Sequence, residues 1–197
     1  MRILLFGGFL GSGKTSVILQ LAKRITASGQ ETVAIIENEI GEDGIDDKLL
    51  SAGGFTVKPL FGGCVCCQIT SDLVSAVDEI SRTLTPDWLI IEMTGLAVPG
   101  KVAKLIRRYD ASGAKCKTIT IVDAGRWAEL KEVLEPLVVS QVQESDLVIV
   151  NKADIAGPDI EKTVADVRAI IGRATILTAS AADPLAPELF EEVINLE

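Results

Sequence analysis

Near the start of the chain, Gly8-Phe9-Leu10-Gly11-Ser12-Gly13-Lys14-Thr15 has the spacing G-x-x-x-x-G-K-T and follows the apolar run Ile3-Leu4-Leu5-Phe6. Few folds accommodate such a segment, because it requires a strand before the loop and a helix after it. Glycines let the backbone wrap around phosphate oxygens. Successive N–H groups and the helix N-terminus supply a positive field. Lys14 is placed to reach the β- and γ-phosphates, and the Thr15 hydroxyl to ligate Mg²⁺. Gly11, Ser12, Gly13, Lys14, Thr15 and Ser16 are the candidate phosphate-binding residues.

The rest of the chain alternates strand-like and helix-like segments. Strands are predicted at 2–6, 32–36, 56–60, 88–91, 118–122, 146–150 and 174–178, and helices at 14–28, 71–84, 99–109, 126–143, 159–171 and 186–195. Leu89-Ile90-Ile91 and Leu147-Val148-Ile149-Val150 are apolar without a break. That fits a parallel sheet covered on both faces. The expected fold class is therefore α/β, a three-layer P-loop NTPase domain with a mainly parallel sheet and right-handed crossovers. The 197 residues suffice for one sizeable domain over 1–197 and are tight for two.

Composition narrows the partners. A net charge of −9 argues against broad contact with nucleic acid or an anionic membrane. The first strand starts at residue 2, leaving no room for a secretory signal, and the apolar runs are strand-length, so the expectation is a cytoplasmic protein without a membrane helix. Of four cysteines, three fall within 64–67. In a reducing compartment such a cluster points to metal or redox chemistry. There is no histidine, so any metal must be held by thiolates, carboxylates or water.

In a parallel α/β sheet, ligands sit beyond the carboxyl ends of strands. Glu92 follows Trp88–Ile91 and heads Glu92-Met93-Thr94-Gly95, where an acid serves Mg²⁺ and a glycine the γ-phosphate. Asn151-Lys152-Ala153-Asp154 follows another apolar strand. A carboxylate at Asp154 accepts two hydrogen bonds from N1–H and the exocyclic amine of guanine. Adenine has no such pair of donors, so ATP leaves that charge unpaired. Asn151 can brace the loop, and the Lys152 stem can cover the base. Ser180 and Ala181, after the last strand, are placed to close over the guanine edge. A solvated acidic loop is the ordinary reading of residues 37–47, yet their position after a strand also suits a nucleotide-sensing switch.

Gly62-Gly63-Cys64-Val65-Cys66-Cys67 is the second unusual segment. Cysteine is often a small buried hydrophobe, and that reading stays open. Two glycines beside three thiols also allow the thiolates to converge on Zn²⁺ or on Cu(I) or another soft ion. Cys116 reads as an inert position.

With these segments in hand, the chain resembles the CobW–HypB–UreG group of GTPases, and its CobW-like branch in particular. The matching stretches are 8–16, 37–46, 62–67, 90–99, 120–124 and 151–154, in order across nearly the whole chain. The resemblance implies a GTPase that loads or activates a metalloenzyme or a corrinoid system. It further implies that Glu37, Cys66 and Cys67, with Cys64 adjacent, fall where a metal binds near the nucleotide. Full CobW architectures carry a C-terminal domain that has no counterpart in these 197 residues, and many carry histidine-rich metal stores, absent here.

The leading expectation is thus slow GTP hydrolysis coupled to metal or metallocofactor (including cobalamin) insertion. Lys14 acts on the phosphates, and Thr15 and Glu92 hold Mg²⁺. GTP or GDP and Mg²⁺ are the expected ligands, with Zn²⁺ or another transition metal at the cysteines. A metalloenzyme or corrinoid-protein client and a second copy of the chain are the expected partners. The alternative is a non-catalytic, GTP-dependent binding module that grips a client and releases it on exchange. A kinase on this fold would have no need of the Asn151–Asp154 element, and a zinc buffer would leave the phosphate loop unexplained.

Overall fold

The computed structural model describes residues 1–37, 56–59, 68–109 and 113–196, with backbone only at 56–59 and 68–72. Its elements run β1 (Arg2–Gly7), α1 (Lys14–Thr26), β2 (Val33–Glu37), β3 (Thr56–Pro59), α2 (Gln68–Thr83), β4 (Trp88–Glu92), α3 (Pro99–Tyr109), β5 (Lys115–Asp123), α4 (Trp127–Gln143), β6 (Leu147–Asn151), α5 (Ala153–Ala156), α6 (Asp159–Ile170), β7 (Thr175–Thr178) and α7 (Pro187–Ile194). Seven strands form one sheet in the order β3-β2-β4-β1-β5-β6-β7. Every pairing between them is parallel.

The unbroken apolar strands explain this arrangement. Leu4, Phe6, Ile35 and Ile90 face α1 and α7, meeting Val17, Ile18, Leu21, Leu189 and Val193. Ile3, Leu5, Ile36 and Ile91 face the other way, onto Leu73, Ala76, Val77 and Ile80 of α2 and Ala103 and Ile106 of α3. Beyond β5 that second layer continues with α4 and α6, which enclose Val122 and Val148. A strand buried on both faces must be apolar at successive positions, and each fully buried large side chain contributes about 1.5–3 kcal/mol.

The α/β three-layer expectation therefore describes the molecule, with element ends that shift. β5 starts three residues before the predicted 118, since Lys115 and Cys116 pair with Arg2 and Ile3 and lengthen the strand. The Lys117 ammonium is buried beneath α7, where it donates to the carbonyl oxygens of Glu192 and Asn195 and closes that helix's C-terminus. α2 starts at Gln68, ahead of the predicted 71, and the single-turn α5 was not anticipated. The predicted α4 is broken: Leu134 has non-helical dihedrals and Pro136 follows within the helix. A proline there removes a backbone donor and its ring crowds the preceding turn. No helix among the described residues is long and apolar enough to cross a membrane.

Candidate functional site

With β1 central and all strands parallel, the carboxyl ends of β1, β2, β4, β5 and β6 share one edge. Along it lie Ser12, Lys14, Glu37, Glu92, Asp123 and Asn151, half of the polar side chains buried among the described residues. Buried polar groups are costly unless partnered, so their concentration at one edge marks a site.

The phosphate-type loop links β1 to α1. Gly8, Gly11 and Gly13 all have positive φ. At Gly13, φ is +95° and a Cβ would lie 2.3 Å from Asn151 Nδ2, so only glycine fits there. α1 then begins at Lys14, whose side chain is buried, without an acid in its first turn. Ser12 Oγ is buried with no hydrogen-bond partner among the described residues. An unpartnered buried hydroxyl in a glycine-rich loop just before a helix N-terminus suits an anion-binding cradle. Gly11 and Ser16 are exposed on the rim.

Thr15 Oγ1 donates to Glu92 Oε1 at 2.8 Å. This brings the first turn of α1 to the end of β4. A hydroxyl and a carboxylate form an oxygen donor set that suits a hard cation such as Mg²⁺. The turn after β4 approaches the phosphate loop closely, since a Cβ on Gly95 would stand 2.8 Å from the Leu10 nitrogen. That turn is held from α4 by the buried Gln141, whose Nε2 donates to the carbonyl oxygens of Gly95 at 3.0 Å and Ala97 at 2.8 Å.

Asn151 ends β6 and is almost fully buried. Its Nδ2 donates to Ser12 O at 2.8 Å, and its Oδ1 accepts from the Ala181 N–H at 2.9 Å. One side chain thus ties the phosphate loop to the loop after β7. Gln20 of α1 reaches the same loop, donating to Ala181 O at 2.9 Å. Lys152 takes a left-handed conformation with φ of 66°. Its ammonium pairs with Asp123 Oδ2 at 2.8 Å. Asp154 is exposed at the start of α5. Ser180 Oγ is buried without a partner among the described residues.

Glu37 is the last residue of β2 and stands in register with Glu92. Cys64, Cys66 and Cys67 lie outside the described residues, as do residues 38–47 of the acidic segment. Among the described residues no group of three or more acids or thiols is arranged to hold a metal. Cys116 sits in β5 opposite Ile3.

Three side chains at this edge were missed by the sequence reading: Asp123, Arg126 and Gln141. Asp123 carried a usable signal, since an acid ending an apolar strand is the pattern that singled out Glu92. The other two belong to α4 or its entry, and nothing local in the sequence marks them.

A parallel three-layer sheet with such a loop after its central strand is the P-loop NTPase class. Residues 2–178 match the family described as CobW/HypB/UreG, nucleotide-binding domain, and the chain belongs to that family. It is 31% identical over 195 residues to the zinc chaperone YjiA of Escherichia coli strain K12, covering 93% of this chain and 58% of that protein. The zinc chaperone YeiR of the same organism is 33% identical over 165 residues, covering 83% of this chain and 50% of YeiR. Zinc-regulated GTPase metalloprotein activator 1 of Dictyostelium discoideum is 26% identical over 203 residues, covering 83% and 42%. The chain spans about half the length of these curated relatives. Among solved structures, Zn(II)-bound YjiA GTPase from E. coli superposes with a TM-score of 0.70 at 24% identity, covering 96% of this chain and 60% of that one. The hydrogenase maturation factor HypB of Archaeoglobus fulgidus gives 0.69 at 23%, covering 98% and 86%. These two likenesses are of fold.

Proposed function

We propose that residues 1–197 act as a single nucleotide-binding domain that binds GTP, hydrolyses it slowly and couples its state to a bound transition metal destined for a client metalloenzyme. The observation that carries this reading is the bridge made by Asn151. It joins the phosphate loop to the segment bearing Asp154 and to the Ser180–Ala181 loop, so phosphate binding and base reading become one site. Guanine is favoured because Asp154 offers a carboxylate to its two adjacent donors.

In this reading the N–H groups of residues 11–16 and the Lys14 ammonium hold the phosphates. Thr15 and Glu92 would hold Mg²⁺, which neutralises charge on the β- and γ-phosphate oxygens. Gly95 presents its N–H to the γ-phosphate, and Gln141 fixes the turn that carries it. Lys152 covers the base with its stem while its ammonium stays on Asp123.

Zinc is the ion we favour, because relatives of this chain are called zinc chaperones. Its ligands would be Glu37, Cys66 and Cys67, with Cys64 beside them. Chain connectivity allows this. Pro59 pairs with Glu37, and Cys66 and Cys67 follow it within eight residues, a reach of up to about 28 Å. Thiolate ligands survive in a reducing compartment such as the cytoplasm. The corrinoid client rests on the family resemblance alone, so a metalloenzyme is the partner we put first.

Calorimetry with GTP and ATP, together with phosphate release from GTP, tests the reading. The expectation is at least ~10-fold preference for GTP, as one unpaired buried polar group costs about 1–3 kcal/mol. Lys14→Ala should abolish turnover while the fold survives. Equal affinity for the two nucleotides, or undiminished turnover in Lys14→Ala, would overturn it.

A further inference from the structure

The segment Thr120–Ala124 belongs to the family pattern, and beyond the ion pair of Asp123 with Lys152 it leads directly to an arginine at the phosphate loop. Asp123 ends β5. Its Oδ1 accepts the Gly125 N–H at 3.0 Å, and its carbonyl accepts the Arg126 N–H at 3.2 Å. This turn directs the Arg126 side chain back across the sheet edge. Arg126 Nη1 donates to Leu10 O at 3.2 Å and stands 3.7 Å from where a Cβ on Gly11 would be. The guanidinium also lies 5.7 Å from the Phe9 ring centre.

Among the described residues, Leu10 O is the one acceptor this guanidinium meets, and it forms no ion pair. A guanidinium has five donors, so most remain available. The obvious acid is already engaged, since Asp123 spends its second oxygen on Lys152. Around the loop, positive charge accumulates from Lys14, the N-terminus of α1 and Arg126. That convergence suits a phosphate anion.

We propose that Arg126 is a catalytic residue supplied by the chain itself, turning from Leu10 O to the γ-phosphate when GTP is bound. The assignment rests on the GTP reading above. In hydrolysis the water oxygen forms a bond to the γ-phosphorus while the bond from that phosphorus to the β–γ bridging oxygen breaks. The electron pair stays on the β-phosphate of GDP, and both protons of the water leave with inorganic phosphate as H2PO4−, which then gives one to solvent according to pH. Negative charge therefore grows on the bridging and γ-oxygens, and the planar fork of an arginine can contact both.

The test uses the full chain with Arg126→Ala and Arg126→Lys, each checked for native circular dichroism. Three quantities are read: single-turnover GTP hydrolysis, affinity for fluorescent GDP, and trapping of GDP with aluminium fluoride, which imitates the transferring phosphoryl group. The expected result is at least ~100-fold slower turnover in Arg126→Ala, loss of aluminium fluoride trapping and GDP affinity within about threefold of the wild type. Arg126→Lys should recover only a minor part of the rate, because an ammonium lacks the fork. If GDP and GTP affinities fall together while the bound-state rate holds, Arg126 only clamps the loop rim and the proposal fails. Unchanged turnover in both variants also defeats it, while leaving the GTP reading intact. A wild-type chain that binds GTP and never forms GDP defeats hydrolysis itself, and the arginine's role with it.

Discussion

Glu37 at the end of β2 pairs in register with Glu92 at the end of β4, and both side chains are buried. Residues paired in register on adjacent parallel strands project from the same face, with the strands about 4.8 Å apart. The acid proposed for the transition metal is thus the immediate neighbour of the acid proposed for Mg²⁺.

That adjacency predicts coupling. Zn²⁺ affinity measured by competition should differ between the empty, GDP-bound and GTP-analogue-bound protein by ~5–150-fold, and GTP affinity should shift reciprocally. Because thiolates must shed protons to bind, Zn²⁺ affinity should rise with pH. Glu37→Gln should shrink the difference between nucleotide states to less than about twofold. Three coincident affinities would remove the metal-handling role.

Base selection is predicted to reside in Asp154. Asp154→Asn should cost GTP at least ~10-fold in affinity, since an amide presents a donor where guanine also donates. The same change should improve binding of xanthosine triphosphate. Retention of the wild-type GTP-to-ATP ratio in this variant would move base reading elsewhere.

Gly13 and Asn151 form a mutually dependent pair. Gly13→Ala should destabilise by about 1–3 kcal/mol through backbone strain and drive a methyl group into the Asn151 amide. Asn151→Ala should cost about 1–3 kcal/mol, leaving Ser12 O and the Ala181 N–H without their partner. In the double variant the steric part disappears, so the two costs should fall short of additivity by at least ~0.5 kcal/mol. Denaturant unfolding of the four proteins reads this directly.

The pH dependence has a named contributor outside the site. Lys131 donates to Asp166 Oδ1 at 2.7 Å and the Trp127 indole to Oδ2 at 2.6 Å. These bonds, the lysine's foremost, hold the Asp166 carboxyl below its ordinary value of 3.8. A depressed folded-state pKa gives stability that is present above the unfolded value and lost as pH falls through the folded one. The window therefore lies below about pH 4. The pair is part exposed, so the loss should stay under about 1 kcal/mol. Asp166→Asn should flatten this limb of the stability curve, and Trp127 fluorescence should lose its acid transition. An unaltered acid limb would show that the pair contributes nothing.

Much of this protein was legible in the linear order of residues because the governing physics is local. A glycine-rich turn after an apolar strand and before a helix has few other uses, and unbroken apolar runs such as Leu147–Val150 must be buried on both faces. The order of motifs also identified the family. Tertiary structure decided how distant segments meet. The sheet register sets Glu37 beside Glu92 across 55 positions of chain, and the place of β6 beside β5 brings Asn151 to Ser12 across 139. Arg126 reaching Leu10 O and Gln141 gripping the Gly95 turn depend on where α4 enters and kinks. No local pattern encodes those contacts, because they are selected by the packing of whole elements against a common sheet.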